Sequence, residues 1–147
     1  DMQGYTDLID IIIDSEPNVL NHNVETVPDL YDIVRPQAIF ERSIQVLKYV
    51  KEKKPHMATK SGMMLGLGET KDQVIDVFKA LRDVDCDMIT LGQYLRPTED
   101  HLPIVEYITP EQFKEYEKIA YDMGFKQVAS GPLVRSSYYA EDISKMI

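Results

Sequence analysis

Thr59-Lys60-Ser61-Gly62-Met63-Met64-Leu65-Gly66-Leu67-Gly68-Glu69 is the stretch whose reading decides the fold. An apolar run, Met63 to Leu65, lies between two glycines, and a third glycine and a glutamate follow at once. This pattern predicts a buried strand that ends in a glycine turn and opens onto a helix. Parallel strands in α/β folds are apolar on both faces, which suits such a run. In α/β sheets and barrels, ligands bind where strands end and the next loops begin. Lys60, Ser61, the glycines and Glu69 are therefore the first candidates for function.

The sequence on either side supplies the alternation. Thr6 to Ser15 reads as a helix with Leu8, Ile9, Ile12 and Ile13 on one face. Val19 to Val24 reads as a strand with a polar end, followed by a helical turn around Leu30 to Val34. Phe40, Ile44, Leu47 and Val50 mark a helix over Ile39 to Lys53, stopped by Pro55. After the deciding stretch, Thr70-Lys71-Asp72-Gln73 has the form of a capping box, and the helix it opens runs to about Val84. Asp87 to Gln93 is the next strand. Tyr94 to Thr109 is a long irregular connection, of the length that has a job or is mobile. Thr109-Pro110-Glu111-Gln112 is a second capping box with Pro at the first helical position. Gly124 closes that helix, and Gln127 to Ser130 is a short strand. Helices alternating with strands predict βαβ units, a parallel sheet and right-handed crossovers. A complete eight-stranded barrel takes roughly 250 residues. The expected fold class is therefore α/β, a partial barrel or a small open sheet, with an extension from about residue 126 to the end at 147.

Composition narrows the function. The chain has 147 residues, 44% hydrophobic and 28% charged, with a formal net charge of −9. That acidity argues against nucleic acid as a partner, because phosphate binding needs a basic face. No apolar run approaches the ~18 residues of a membrane span. Cys86 is the sole cysteine, so neither an internal disulfide nor a multi-cysteine metal site can form. It reads as a packed thiol, and a lone thiol suits a cytosolic or matrix-like compartment. The first residues read as the middle of something, and a fragment is expected.

The polar candidates each carry a plain reading beside the functional one. Asn21, Asn23 and Glu25 cluster at a strand end, where amides can donate and accept to carboxylate or ribose groups. They would equally serve to cap the next helix. Lys60 on a buried strand is costly unless it faces an anion, or unless its stem carries the ammonium to water. Gly62, Met64, Gly66 and Glu69 could let a flat ligand lie on backbone beside a thioether, or could form a tight turn. Ser137, in Arg135-Ser136-Ser137-Tyr138, could be a nucleophile, a metal ligand or a solvated hydroxyl. His22 and His101 read as hydrogen-bonded or solvated.

Taken together, several segments resemble the lipoyl synthase family of radical S-adenosylmethionine enzymes. They are Asn21-His22-Asn23-Val24-Glu25-Thr26-Val27-Pro28, Val34-Arg35-Pro36, Thr59 to Thr70, Leu91-Gly92-Gln93-Tyr94-Leu95, and Gly131-Pro132-Leu133-Val134-Arg135-Ser136-Ser137-Tyr138. The resemblance is to the C-terminal part of that family. It implies the later strands of a (β/α)6 barrel in one partial-barrel domain, with S-adenosylmethionine lying across the strand ends. It also implies two 4Fe–4S clusters, whose cysteine motifs this chain lacks. Asn21, Asn23, Glu25, Arg35, Lys60, Gly62, Met64, Gly66, Glu69 and Gln93 become candidate cofactor or substrate contacts. Ser137 matches the serine that ligates an iron of the auxiliary cluster, with Arg135 beside it. A serine oxygen is a harder ligand than thiolate, so it would let iron leave as the cluster surrenders sulfur.

The implied reaction is sulfur insertion at two carbons of an octanoyl chain on a lipoyl-carrier protein. The implied compartment is the cytoplasm, or the mitochondrial matrix in a eukaryote. This chain alone is expected to be inactive. A non-catalytic module that completes a cysteine-bearing partner, or another α/β-barrel enzyme, are the competing readings. An exposed sheet edge at Val19 to Val24 predicts self-association.

Overall fold

The computed structural model describes residues 2–15, 19–34, 40–134 and 141–142. The order of elements is α1 (Met2–Asp14), β1 (Val19–Asn21), a 3-10 turn (Pro28–Leu30), α2 (Tyr31–Val34), α3 (Phe40–Lys53), β2 (Ala58–Leu65), α4 (Lys71–Asp83), β3 (Met88–Gln93), α5 (Pro110–Asp122), β4 (Gln127–Ser130) and β5 (Glu141–Asp142). The strands form one sheet in the order β4-β3-β2-β1-β5. Every pairing is parallel. From β1 to β4 each strand lies beside the one before it, with a helix in every crossover.

The strand residues divide cleanly between two faces, because side chains alternate along a strand. Leu20, Met63, Leu65, Ile89, Leu91 and Val128 are buried among the helices. Val74, Val77, Phe78 and Leu81 of α4 and Phe113, Tyr116 and Ala120 of α5 meet them. Phe78 centres this layer, edge-on to Tyr116 at 6.2 Å and to Phe125 at 6.0 Å. Each such side chain contributes about 1.5–3 kcal/mol when fully buried. A smaller cluster joins Ile9, Ile12 and Ile13 of α1 to Leu20, Val46 and Val50.

The opposite face carries Ala58, Lys60, Gly62, Met64, Met88, Thr90, Gly92, Gln127 and Ala129, in matched register across β2, β3 and β4. None of these belongs to either apolar cluster. From β1 to β4 the strands advance in one direction with helices packed on a single face, as in a segment of a (β/α) barrel wall, and the two-residue β5 returns to pair on the other side of β1. A doubly wound sheet would carry helices on both faces. The expected α/β partial-barrel class is thus observed.

Local chemistry fixes the element ends. Thr70 accepts from the Gln73 amide at 3.2 Å, and the Gln73 side chain accepts from the Thr70 amide at 2.8 Å, which completes the capping box. At α5 only half of the expected box forms: Thr109 accepts from the Gln112 amide at 3.1 Å, while Gln112 Nε2 has no partner among the described residues. At the N-terminal end of the sheet, Asp87 accepts from Lys51 Nζ at 2.7 Å and from the Thr59 amide at 2.9 Å. Lys126 Nζ lies 3.4 Å from its other oxygen. Burial alone would raise the Asp87 pKa, but these three donors outweigh it and hold the carboxyl below its ordinary value.

Two expectations need correction. The strand predicted over Val19 to Val24 ends at Asn21. The edge predicted there is also covered, since Leu20 pairs with Glu141 and Asn21 with Asp142 of β5.

Candidate functional site

Beyond Asn21 the chain stays against β2 but loses register. Asn21 pairs with Lys60, whereas Glu25 bridges Met63. Four steps on one side therefore match three on the other, which is a bulge. The Ser61 hydroxyl fills the gap by accepting from the Val24 amide at 3.2 Å. His22 Nε2 meets Ser43 of α3 at 3.2 Å. The bulge delivers Glu25 in the left-handed region, at φ 72°. Its amide donates to Gly62 at 3.0 Å and its carbonyl accepts from Met64 at 2.8 Å, so the strained backbone is held from both sides.

The turn after β2 is built on Gly66 and closed by Glu69. The Glu69 carboxylate accepts from the Gly66 amide at 3.0 Å and from the Leu67 amide at 3.0 Å. Gly66 sits at φ 103°, and a Cβ there would lie 2.3 Å from Gln93 Nε2 and 2.4 Å from the Glu106 carbonyl. No other residue can occupy this position without displacing the 94–108 connection. That connection is irregular but bonded along its length. The Gln93 amide group donates to the Glu106 carbonyl at 3.0 Å and accepts from the Ile108 amide at 2.8 Å. Tyr94 donates to the Leu102 carbonyl at 2.6 Å, and the Gly66 carbonyl accepts from the Val105 amide at 2.8 Å. On the neighbouring strand, a Cβ on Gly92 would meet the Val134 carbonyl at 2.5 Å, so the segment after β4 crosses directly over it.

These elements enclose a cavity of about 270 Å³ at the C-terminal tips of β2 and β3 and the bulge after β1. Glu25, Gly62, Met63, Met64, Thr90, Gly92, Gln93, Leu95 and Val134 line it. Of the residues singled out in the sequence, Glu25, Gly62, Met64 and Gln93 meet here. Gly66 and Glu69 form the adjoining turn. Asn21 is fully buried, and neither its Nδ2 nor its Oδ1 has a hydrogen-bond partner among the described residues. Asn23 is buried in the bulge. Lys60 lies one strand layer further in, on the same face as Gly62. Arg35, Arg135 and Ser137 lie outside the described residues.

Met63, Thr90, Gly92, Leu95 and Val134 also line the cavity and were not among the candidates named in the sequence. Thr90 carries no motif, and it lines the cavity because it faces away from the helices in register with Gly62. Among the described residues no group of three His, Cys, Asp or Glu side chains is placed to hold a metal ion. Cys86 is fully buried, and burial pushes its thiol up to about 12. No described helix is long and apolar enough to cross a membrane.

The model of the Radical SAM superfamily matches residues 2–81, more than half of the chain. A lipoyl synthase of Caldanaerobacter subterraneus subsp. tengcongensis is 59% identical over 141 residues, covering 96% of this chain and 50% of that protein. A lipoyl synthase of Caldicellulosiruptor saccharolyticus is 52% identical over 147 residues, covering 100% of this chain and 52% of the relative. For that of Rubrobacter xylanophilus the identity is 51% over 142 residues, covering 97% and 44%. The chain spans about half the length of the curated relatives it matches. With the family model matched across β1, α3, β2 and most of α4, this chain belongs to the Radical SAM superfamily.

Proposed function

We propose that this chain is the later-strand half of a lipoyl synthase and that its strand-tip cavity takes S-adenosylmethionine. The reaction it would serve is the insertion of two sulfur atoms into an octanoyl chain on a lipoyl-carrier protein, in the cytoplasm or a mitochondrial matrix. The observation that carries this reading is the cavity bounded by Glu25, Gly62, Met64 and Gly92 at the strand tips.

The residues present suit the cofactor. Gly62 leaves bare backbone on which a flat ring can lie. Met64 offers a thioether at its edge. The Glu25 carboxylate can accept from ribose hydroxyls or an ammonium group, and among the described residues the buried amide of Asn21 has both its donor and its acceptor without partners. Glu69 and Gln93 act on this ligand through backbone, by fixing the Gly66 turn and the 94–108 wall. When bound, S-adenosylmethionine supplies the hydrogen-abstracting chemistry.

The iron–sulfur clusters of the same reading do not fit this chain by itself. They need thiolates, and the sole cysteine is buried and protonated. Ser137 as an oxygen ligand of the auxiliary cluster, with Arg135 beside it, belongs to the proposal on the strength of Arg135-Ser136-Ser137-Tyr138. So do Asn23 and Arg35 as cofactor contacts, on the segments that carry them.

The test mixes the chain with a polypeptide bearing the two cysteine motifs of a relative. The mixture is reconstituted with iron and sulfide and given S-adenosylmethionine and an octanoylated carrier. Lipoylated carrier, read by mass spectrometry, is expected from the mixture and from neither part alone. Glu25→Gln should lower that yield by about tenfold or more. No product, under conditions where an intact relative turns over, overturns the proposal.

A further inference from the structure

α1 occupies the place of a crossover helix leading into β1. Ile9, Ile12 and Ile13 pack on Leu20 of β1 and on Val46 and Val50 of α3, in a cluster whose buried residues include none from β2, β3 or β4. Tyr49 of α3 donates to Asp10 of α1 at 2.7 Å, which pins the two helices side by side. α1 thus extends the helix layer past α3, while α3, α4 and α5 serve the steps from β1 to β4. A parallel strand feeding α1 through a right-handed crossover would lie on the β1 edge away from β2.

That edge is where β5 lies, and β5 runs parallel to β1 as such a strand would: Leu20 pairs with Glu141 and Asn21 with Asp142. β5 does not arrive through α1. It follows β4 in the chain, and β4 stands at the opposite edge of the sheet. It is also two residues long, whereas β3 pairs with β2 along all six of its residues. Each ladder hydrogen bond adds only a modest net gain, so a strand this short holds the edge weakly against a longer one. A sheet edge is a template for a strand of another chain, and the position of α1 specifies a parallel strand that carries its own crossover. The relatives supply the source, since this chain spans about half of their length.

We propose that the β1 edge is the docking surface for the cysteine-bearing half of the barrel, which adds a parallel strand there, and that β5 is a displaceable cap on this edge. The inference rests on the reading of the chain as the later-strand half of a lipoyl synthase. A molecule with β5 in place cannot accept the incoming strand, so the apparent affinity for the other half falls to the share of molecules whose edge is bare.

The probe is the part of the Caldanaerobacter relative outside its match to this chain, half of that protein. Hydrogen exchange read by mass spectrometry follows its binding to the parent chain. The peptide carrying Glu141 and Asp142 is expected to exchange faster in the complex, while Val19–Asn21 stays protected. Glu141→Pro combined with Asp142→Pro removes both amides of β5 and so weakens the cap. This variant is expected to bind the probe at least about tenfold more tightly than the parent, by biolayer interferometry. Alone, it should dimerise in sedimentation runs at concentrations where the parent stays monomeric. Equal affinities, or unchanged exchange at Glu141 and Asp142 in the complex, would overturn the cap. No binding of the probe to either chain would overturn the docking edge. If the double variant fails to fold, exchange in the parent decides alone. The octanoylated carrier is left out, so docking is read apart from turnover. Lipoylated carrier from the reconstituted mixture without release of β5 would overturn this inference and leave the proposed function standing. Release of β5 without product would do the reverse.

Discussion

At the scale of single residues, Gly66 and Asp87 hold the two ends of the same strand pair. Gly66 combines a φ of 103° with backbone and side-chain atoms closer than 2.5 Å to where a Cβ would stand. Gly66→Ala therefore adds left-handed strain, about 1–3 kcal/mol, to a clash that must push Gln93 and the 94–108 connection outward. The expected result is an unfolding free energy lower by at least that amount, read as a lower urea midpoint, together with faster proteolysis within 94–108. An unchanged midpoint would mean that the connection moves aside freely. Asp87 works at the other end, where its carboxylate joins Lys51, the Thr59 amide and Lys126. Its folded pKa lies below its unfolded value, so its contribution is present above the unfolded value of about 4. That contribution is lost as pH falls through the folded value. Asp87→Asn should destabilise the chain by about 1–3 kcal/mol at neutral pH, since the part-buried Lys51 loses its carboxylate and keeps the Met57 carbonyl as acceptor. It should also flatten the fall in stability below about pH 4 expected of the parent, measured by denaturant titration at several pH values.

Elements were legible wherever the signal was local. The apolar run between glycines, the Thr70 box and Gly124 all fixed boundaries that the structure shares within a residue or two. Features that depend on a partner far along the chain were not. The bulge before Glu25 exists because Ser61, across the strand pair, supplies a hydroxyl to an amide that lost its register. The 94–108 connection looks structureless because its bonds run to Gly66 and Gln93, and no periodicity records them. For the same reason four of the cavity-lining residues lie on motifs singled out in the sequence, and Thr90, placed only by its register, does not. The caps allow a direct comparison. Thr70→Ala removes a reciprocal pair of bonds and should cost about 1 kcal/mol or more. Thr109→Ala removes a single bond, with Pro110 still preorganising the first turn, and should cost less. Paired thermal melts decide this, and equal losses would show that the Gln73 return bond adds nothing.

At the scale of the whole molecule, the wall and its metal chemistry are separable. Cys86 stands just before β3, at the N-terminal end of the sheet, while the strand-tip cavity lies at the C-terminal end. A six-residue strand spans about 20 Å, too far for one thiol to serve a group bound at the tips. The thiol also donates toward the Thr59 and Met88 carbonyls, and burial raises it to about 12. In the unfolded chain it would ionise near pH 8.5. A raised folded pKa stabilises fully below the unfolded value and loses that contribution as pH rises toward the folded one, so Cys86 weakens the fold only between about pH 8.5 and 12. At pH 8 the native thiol should resist a thiol-specific dye, and unfolding should release one reactive group per chain. Anaerobic reconstitution of the chain alone with iron and sulfide should then leave well under one 4Fe–4S cluster per molecule after desalting. Cys86→Ala should not lower that residue of iron further, because Cys86 is not its ligand. Retention of a full cluster by the parent and its loss in Cys86→Ala would place the thiol in a metal site and reverse the assignment of this cysteine to the core.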